Sequence, residues 1–146
     1  MNKSESADLI LKLYDLRREE KMREARDWFL SFFPNSAQEV MGTMINPETS
    51  GKLRMVISYW DMAATLVNHN AIDEEMFNES AGEHIMVFSK IELHIAELRE
   101  MFGNPNFLLN LEKLIMRMPN AKELLESRRE MMKRMVQARS EMSKSA

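Results

Sequence analysis

A chain of 146 residues, 45% hydrophobic and 29% charged, suits one domain with a real core, and the lack of cysteine excludes disulfides, thiolate metal ligands and a cysteine nucleophile. A net charge of −3 is too small to draw the whole molecule to nucleic acid or to an anionic membrane. Four glycines and four prolines supply too little turn chemistry for many short strands, which favours helices over a sandwich or barrel.

In chain order, the first helix is expected from about Ser6 to Phe33. Leu9, Ile10, Leu13 and Leu16 recur at three and four residues, and Ala25, Trp28, Phe29 and Phe32 resume the stripe. Between them Arg17-Arg18-Glu19-Glu20-Lys21 is charged all round, so the two ends pack in different places or the middle bridges solvent. The start does not read as a signal peptide, because Asp8 and Asp15 interrupt its apolar run. Pro34 ends the helix.

A short second helix follows, with Ser36 and Glu39 in capping-box spacing. Asn46-Pro47-Glu48-Thr49-Ser50-Gly51 is a turn-rich break before helix three, about Lys52 to Asn68. Leu53, Val56, Ile57, Trp60, Ala63, Ala64 and Val67 give that helix a wide apolar face, which marks it as central.

Asp73-Glu74-Glu75 opens a short fourth helix, since carboxylates favour the positive end of the backbone dipole. Helix five, Glu83 to Phe102, has the cleanest stripe: Ile85, Phe88, Ile91, Ile95, Leu98 and Phe102. Gly103 stands where a left-handed C-terminal cap is expected, and Asn104-Pro105 reads as the start of helix six, which runs to about Met118. Pro119-Asn120 starts helix seven, with Leu124, Met131, Met135 and Met142 on its weakly apolar face and an end that frays from about Ser140. The expectation is an all-α fold, a helical bundle or irregular array of about five to seven helices. Residues 1–146 form one domain, with 140–146 as a frayed tail.

Recognisable chemistry is scarce. A di-iron bundle needs Glu-x-x-His twice, and that spacing does not occur. His84 and His94 lie ten residues apart, about 80° off a common helix face. No strained Gly-x-Ser-x-Gly turn and no glycine-rich phosphate loop is present. The sequence therefore assigns no catalytic residue, cofactor site or metal site, and the chain reads as non-enzymatic.

Two candidate surfaces remain. On helix three, Arg54, Ser58, Asp61, Thr65 and Asn68 recur at four, three, four and three residues, in a stripe about 80° wide. They are either a hydrogen-bonding strip along a pocket or the exposed edge of a buried helix, and the edge is the plainer account. On the last helix, Met131, Met132 and Met135 sit among Arg128, Arg129, Lys133 and Arg134, as on an amphipathic helix that docks in a partner groove or on an acidic surface. Arg128, Met131, Met132 and Met135 are the candidate interaction residues. Lacking Trp or Phe to anchor in lipid, this helix favours a protein partner, another copy among the candidates, over a membrane, and ordinary packing against its own domain is an equal alternative. Its basic run carries no aromatics for base stacking, which counts against nucleic acid. Charge is also uneven along the chain. Residues 73–100 hold eight acids against two bases, and 126–146 hold six bases against three acids. Solvated helix faces explain this most simply, with pairing between the segments as the alternative.

Tyr59-Trp60-Asp61-Met62-Ala63-Ala64-Thr65-Leu66-Val67, followed after three residues by Ala71-Ile72-Asp73-Glu74-Glu75-Met76-Phe77, resembles a family of small bacterial all-helical proteins of unknown function. In that family an aromatic helix ends in Leu-Val, and Ile-Asp-Glu-Glu starts the next. The likeness covers roughly Met55 to Met118. Members often carry an N-terminal membrane segment, from which this charged first helix departs. The resemblance implies no activity, cofactor or catalytic residue. By itself the motif reads as a packed corner of Trp60, Leu66, Val67, Ile72 and Phe77, with Asp73 capping the second helix. The expected function is a non-enzymatic interaction or scaffold module that self-associates, located in the cytoplasm. The alternative is a small-molecule-binding or catalytic bundle using the stripe of helix three.

Overall fold

The computed structural model describes residues 2–145. Among these there are nine α-helices and no strand: α1 (Lys3–Arg17), α2 (Glu20–Leu30), α3 (Ala37–Ile45), α4 (Ser50–Asn68), α5 (Glu74–Ser80), α6 (Glu83–Ile91), α7 (Ile95–Phe102), α8 (Leu109–Met116) and α9 (Ala121–Ser145). A 3-10 turn, Glu92–His94, joins α6 to α7. Counting Glu83–Phe102 as one bent rod gives eight helices, more than the five to seven expected, while the all-α class holds.

The extra helix comes from the charged run near the N-terminus, which divides the expected first helix in two. A segment charged all round buries nothing, so packing gives no reason to keep it helical. Glu19 instead turns extended, and its carboxylate accepts the Met22 amide at 3.0 Å as the N-cap of α2. Backbone amides of Lys21 and Met22 hold that carboxyl below its ordinary pKa. Arg26 closes the corner by donating to the Arg17 carbonyl at 3.3 Å.

Another boundary also moves. Helix α8 begins at Leu109, four residues after Pro105, because Asn104–Leu108 is spent on turns. Asn104 Oδ1 accepts the Asn106 amide at 3.0 Å, and Arg99 Nε donates to the Phe107 carbonyl at 2.9 Å, which pins the turn. Leu108 is left-handed, at φ 53°, and buried, so its packing offsets an unfavourable backbone. The caps read from sequence otherwise form. Ser36 Oγ accepts from Glu39 N, Asp73 accepts from Met76 N, and Gly103 takes the left-handed conformation at φ 62°.

Helix α4 is the centre of the molecule. Leu53, Val56, Ile57, Tyr59, Trp60, Ala63, Ala64 and Val67 are all buried, and α2 and α8 pack on it most extensively. Burying aliphatic side chains such as Leu53, Val56, Ile57 and Val67 stabilises by about 1.5–3 kcal/mol each. Helix α6 is buried on every side from His84 to Ile91, covered in part by α9. No helix among the described residues is long and apolar enough to cross a membrane.

Candidate functional site

The polar stripe of α4 divides into two parts. Arg54 and Ser58 are exposed, and Arg54 Nε donates to Ser50 Oγ within the same helix. Asp61 and Asn68 face α8. Asp61 Oδ1 accepts the Leu111 amide at 2.9 Å, and Oδ2 accepts Asn110 Nδ2 at 3.4 Å. This makes Asp61 the cap of a helix whose preceding residue, Leu108, has no side-chain acceptor to offer. Asn68 Nδ2 donates to the Asn110 carbonyl at 3.0 Å, while its Oδ1 accepts from Arg117, which also pairs with Glu74 at 2.7 Å. Thr65 returns its hydroxyl to the Asp61 carbonyl. The stripe works as a seam that aligns α4, α5 and α8.

The interaction helix divides as well. Ala121, Leu125 and Met132 are its buried positions. Arg129 donates to the Ser89 carbonyl at 2.8 Å and pairs with Glu92 at 3.3 Å, so the basic and acidic segments do meet inside the molecule. Arg128 is half-buried beside Gly82, where an added Cβ would lie 3.7 Å from Nη1. Of the four candidate interaction residues, then, Met132 belongs to the core and Arg128 lies against the body. Met131 and Met135 are 38% and 56% exposed, and Met142 further along is 74% exposed. Residues Ser140–Ser145 stay helical and exposed, and Ala146 lies outside the described residues. Between the end of α2 and this half of α9 runs an open groove of about 610 Å3, lined by Leu30, Met132, Met135, Val136, Arg139 and Met142 among others.

The buried and half-buried polar groups were not legible as a set. Glu83 receives a fork from Arg26, Nε at 3.0 Å and Nη2 at 2.9 Å, together with Trp60 Nε1 at 3.0 Å, and so fastens α2, α4 and α6 at one point. Arg17 lies over the Trp60 ring, 5.2 Å from its centroid, and over Tyr14 at 5.3 Å. The Tyr59 hydroxyl donates to the Leu13 carbonyl, and burial pushes its pKa up to about 12.

His84 is wholly buried against Trp60 and Phe77, at centroid distances of 5.7 and 5.0 Å. Neither ring nitrogen has a hydrogen-bond partner among the described residues. Burial first, and then the positive charges of Arg128 and Arg17, lower its pKa to about 4. A general base must reach a substrate proton, and this ring is walled in by aromatic faces.

Lys90 is also buried. Its ammonium donates to the Phe29 and Leu30 carbonyls at 2.7 and 3.0 Å and sits 4.1 Å from the Phe33 ring centroid. It thereby satisfies carbonyls at the negative end of α2, although burial lowers its pKa to about 7. Among the described residues no three His, Asp or Glu side chains gather as a metal site would require. No sequence signal could have found the hydrogen bonds of Glu83, Tyr59 and Lys90, because they join residues 23 to 61 positions apart.

The family described as "Domain of unknown function (DUF4760)" matches residues 3–118. That stretch ends just before α9, so the exposed methionines of α9 lie outside it. No curated protein and no solved structure matches the chain.

Proposed function

We propose that this chain, which belongs to the DUF4760 family, is a non-enzymatic interaction module that self-associates through the C-terminal half of α9. The observation that carries this reading is the row of exposed Met131, Met135 and Met142 on the half of a 25-residue helix that its own domain leaves largely uncovered. Thioethers on unbranched, flexible stems adapt to an apposed surface, which suits such a row to docking. Several polar groups that could have served a ligand hold helices together instead. Asp61 and Asn68 hold α8, and Glu83 holds α2 to α4.

A second copy is the occupant that accounts for the helix best, because its charges complement themselves across a twofold axis. Sedimentation velocity over a range of concentrations tests this. The intact chain is expected to dimerise, and Met135→Glu with Met142→Glu to remain monomeric with an unchanged far-UV spectrum, since both positions are exposed. A wild-type chain that is monomeric at every concentration refutes the reading.

A further inference from the structure

We infer that two copies pair side by side and antiparallel along α9, with Met131 of one against Met142 of the other and Met135 against Ala138. The inference rests on the self-association proposed above and adds its geometry. Met131, Met135, Ala138 and Met142 follow at spacings of four, three and four residues. On a helix this confines them to an arc of about 60°, the a and d positions of a coiled-coil seam. The domain's own body packs on the face of Leu125, Arg129 and Met132, about 120° around the helix. The seam is therefore a separate face that borders the open groove against α2, and its residues are exposed.

Charge selects the direction. Arg134 and Glu141, both exposed, border the seam on the side opposite Arg139. Glu141 is engaged only loosely, accepting from Gln137 at 3.4 Å. On the side nearer the body, Arg139 lies 4.0 Å from Asp27. In a parallel pair in register, Arg134 would lie beside Arg139 of the second copy, and the repulsion would occur twice. In the antiparallel pair, Arg134 lies beside Glu141 of the second copy, and the attraction occurs twice. Size agrees with charge, since the small Ala138 then faces the long Met135 in both central layers. Each copy offers the same surface, so the pair closes on itself and leaves no open end for a filament.

The lack of native cysteine makes the test direct. Full-length Met131→Cys and Met142→Cys are prepared separately and oxidised alone and mixed. The mixed sample is expected to form disulfide-linked dimers. Met131→Cys alone is not, because its two copies would stand about 16 Å apart along the axis, beyond disulfide reach. In sedimentation, Arg134→Glu is expected to weaken the dimer about tenfold, and adding Glu141→Arg to restore it. Cross-linking of Met131→Cys with itself as fast as in the mixture overturns the antiparallel pairing while self-association stands. Failure of the charge reversal to restore dimerisation overturns it equally. A monomeric wild-type chain overturns self-association as well and leaves the seam to a helix of another protein.

Discussion

His84 shows how an ordinary side chain acquires unusual energetics from its place. In the unfolded chain it takes up a proton near pH 6.5, whereas in the fold it resists protonation down to about pH 4. Between those values the unfolded state binds more protons, so stability rises with pH and is lost as pH falls from 6.5 to 4. The part due to this one group is at most about 3 kcal/mol. His84→Leu removes the titration and fills similar space, so its stability at pH 7 is expected to equal or exceed that of the wild type. Urea unfolding at a series of pH values checks this, and coincident acid limbs for the two proteins would rule the imidazole out. Lys90 lies at the opposite extreme, a buried charge with good partners. Lys90→Met strands the Phe29 and Leu30 carbonyls and is expected to cost about 2 kcal/mol, measurable as a lower denaturation midpoint.

At the scale of elements, several helices are completed by side chains distant in sequence. Helix α8 takes its cap from Asp61 on α4, 50 residues earlier. Asp61→Ala is expected to cost about 1–2 kcal/mol with little change in helix content, because it frees the Leu111 amide without opening the core. Asp61→Asn, which keeps an acceptor, should recover most of that loss, and a full cost for both variants would point to charge rather than capping. The division between α1 and α2 follows similar logic. Glu19 at the N-cap and Arg26 on the Arg17 carbonyl turn a charged run into a corner. A period-based reading continues such a run as helix, because periodicity reports which face is buried and says nothing when no face is.

At the scale of the molecule, α9 has two jobs on one rod. Up to Met132 it closes the core over α6 and α8, and beyond Met132 it projects an apolar row that the domain does not use. A chain ending at Met132 is therefore expected to keep nearly the wild-type melting temperature and to lose self-association. Calorimetry and light scattering on the same sample separate the two effects. A chain that melts much lower would mean that the distal half supports the fold through the groove against α2.

The amino-acid sequence determined the features that depend on near neighbours. Apolar residues at three and four spacings placed α4 at the centre, Ser36, Asp73 and Gly103 set helix ends, and the composition fixed an all-helical class. It also placed Met131 and Met135 on one face of the last helix, which the structure leaves exposed. Only the tertiary structure decided that Asp61 is a cap, that Met132 is core, that His84 and Lys90 are interior, and that Glu83 joins α2 to α4. Hydrogen-bond partners and desolvation depend on which distant helices come to lie beside a residue, and spacing along the chain carries no record of that.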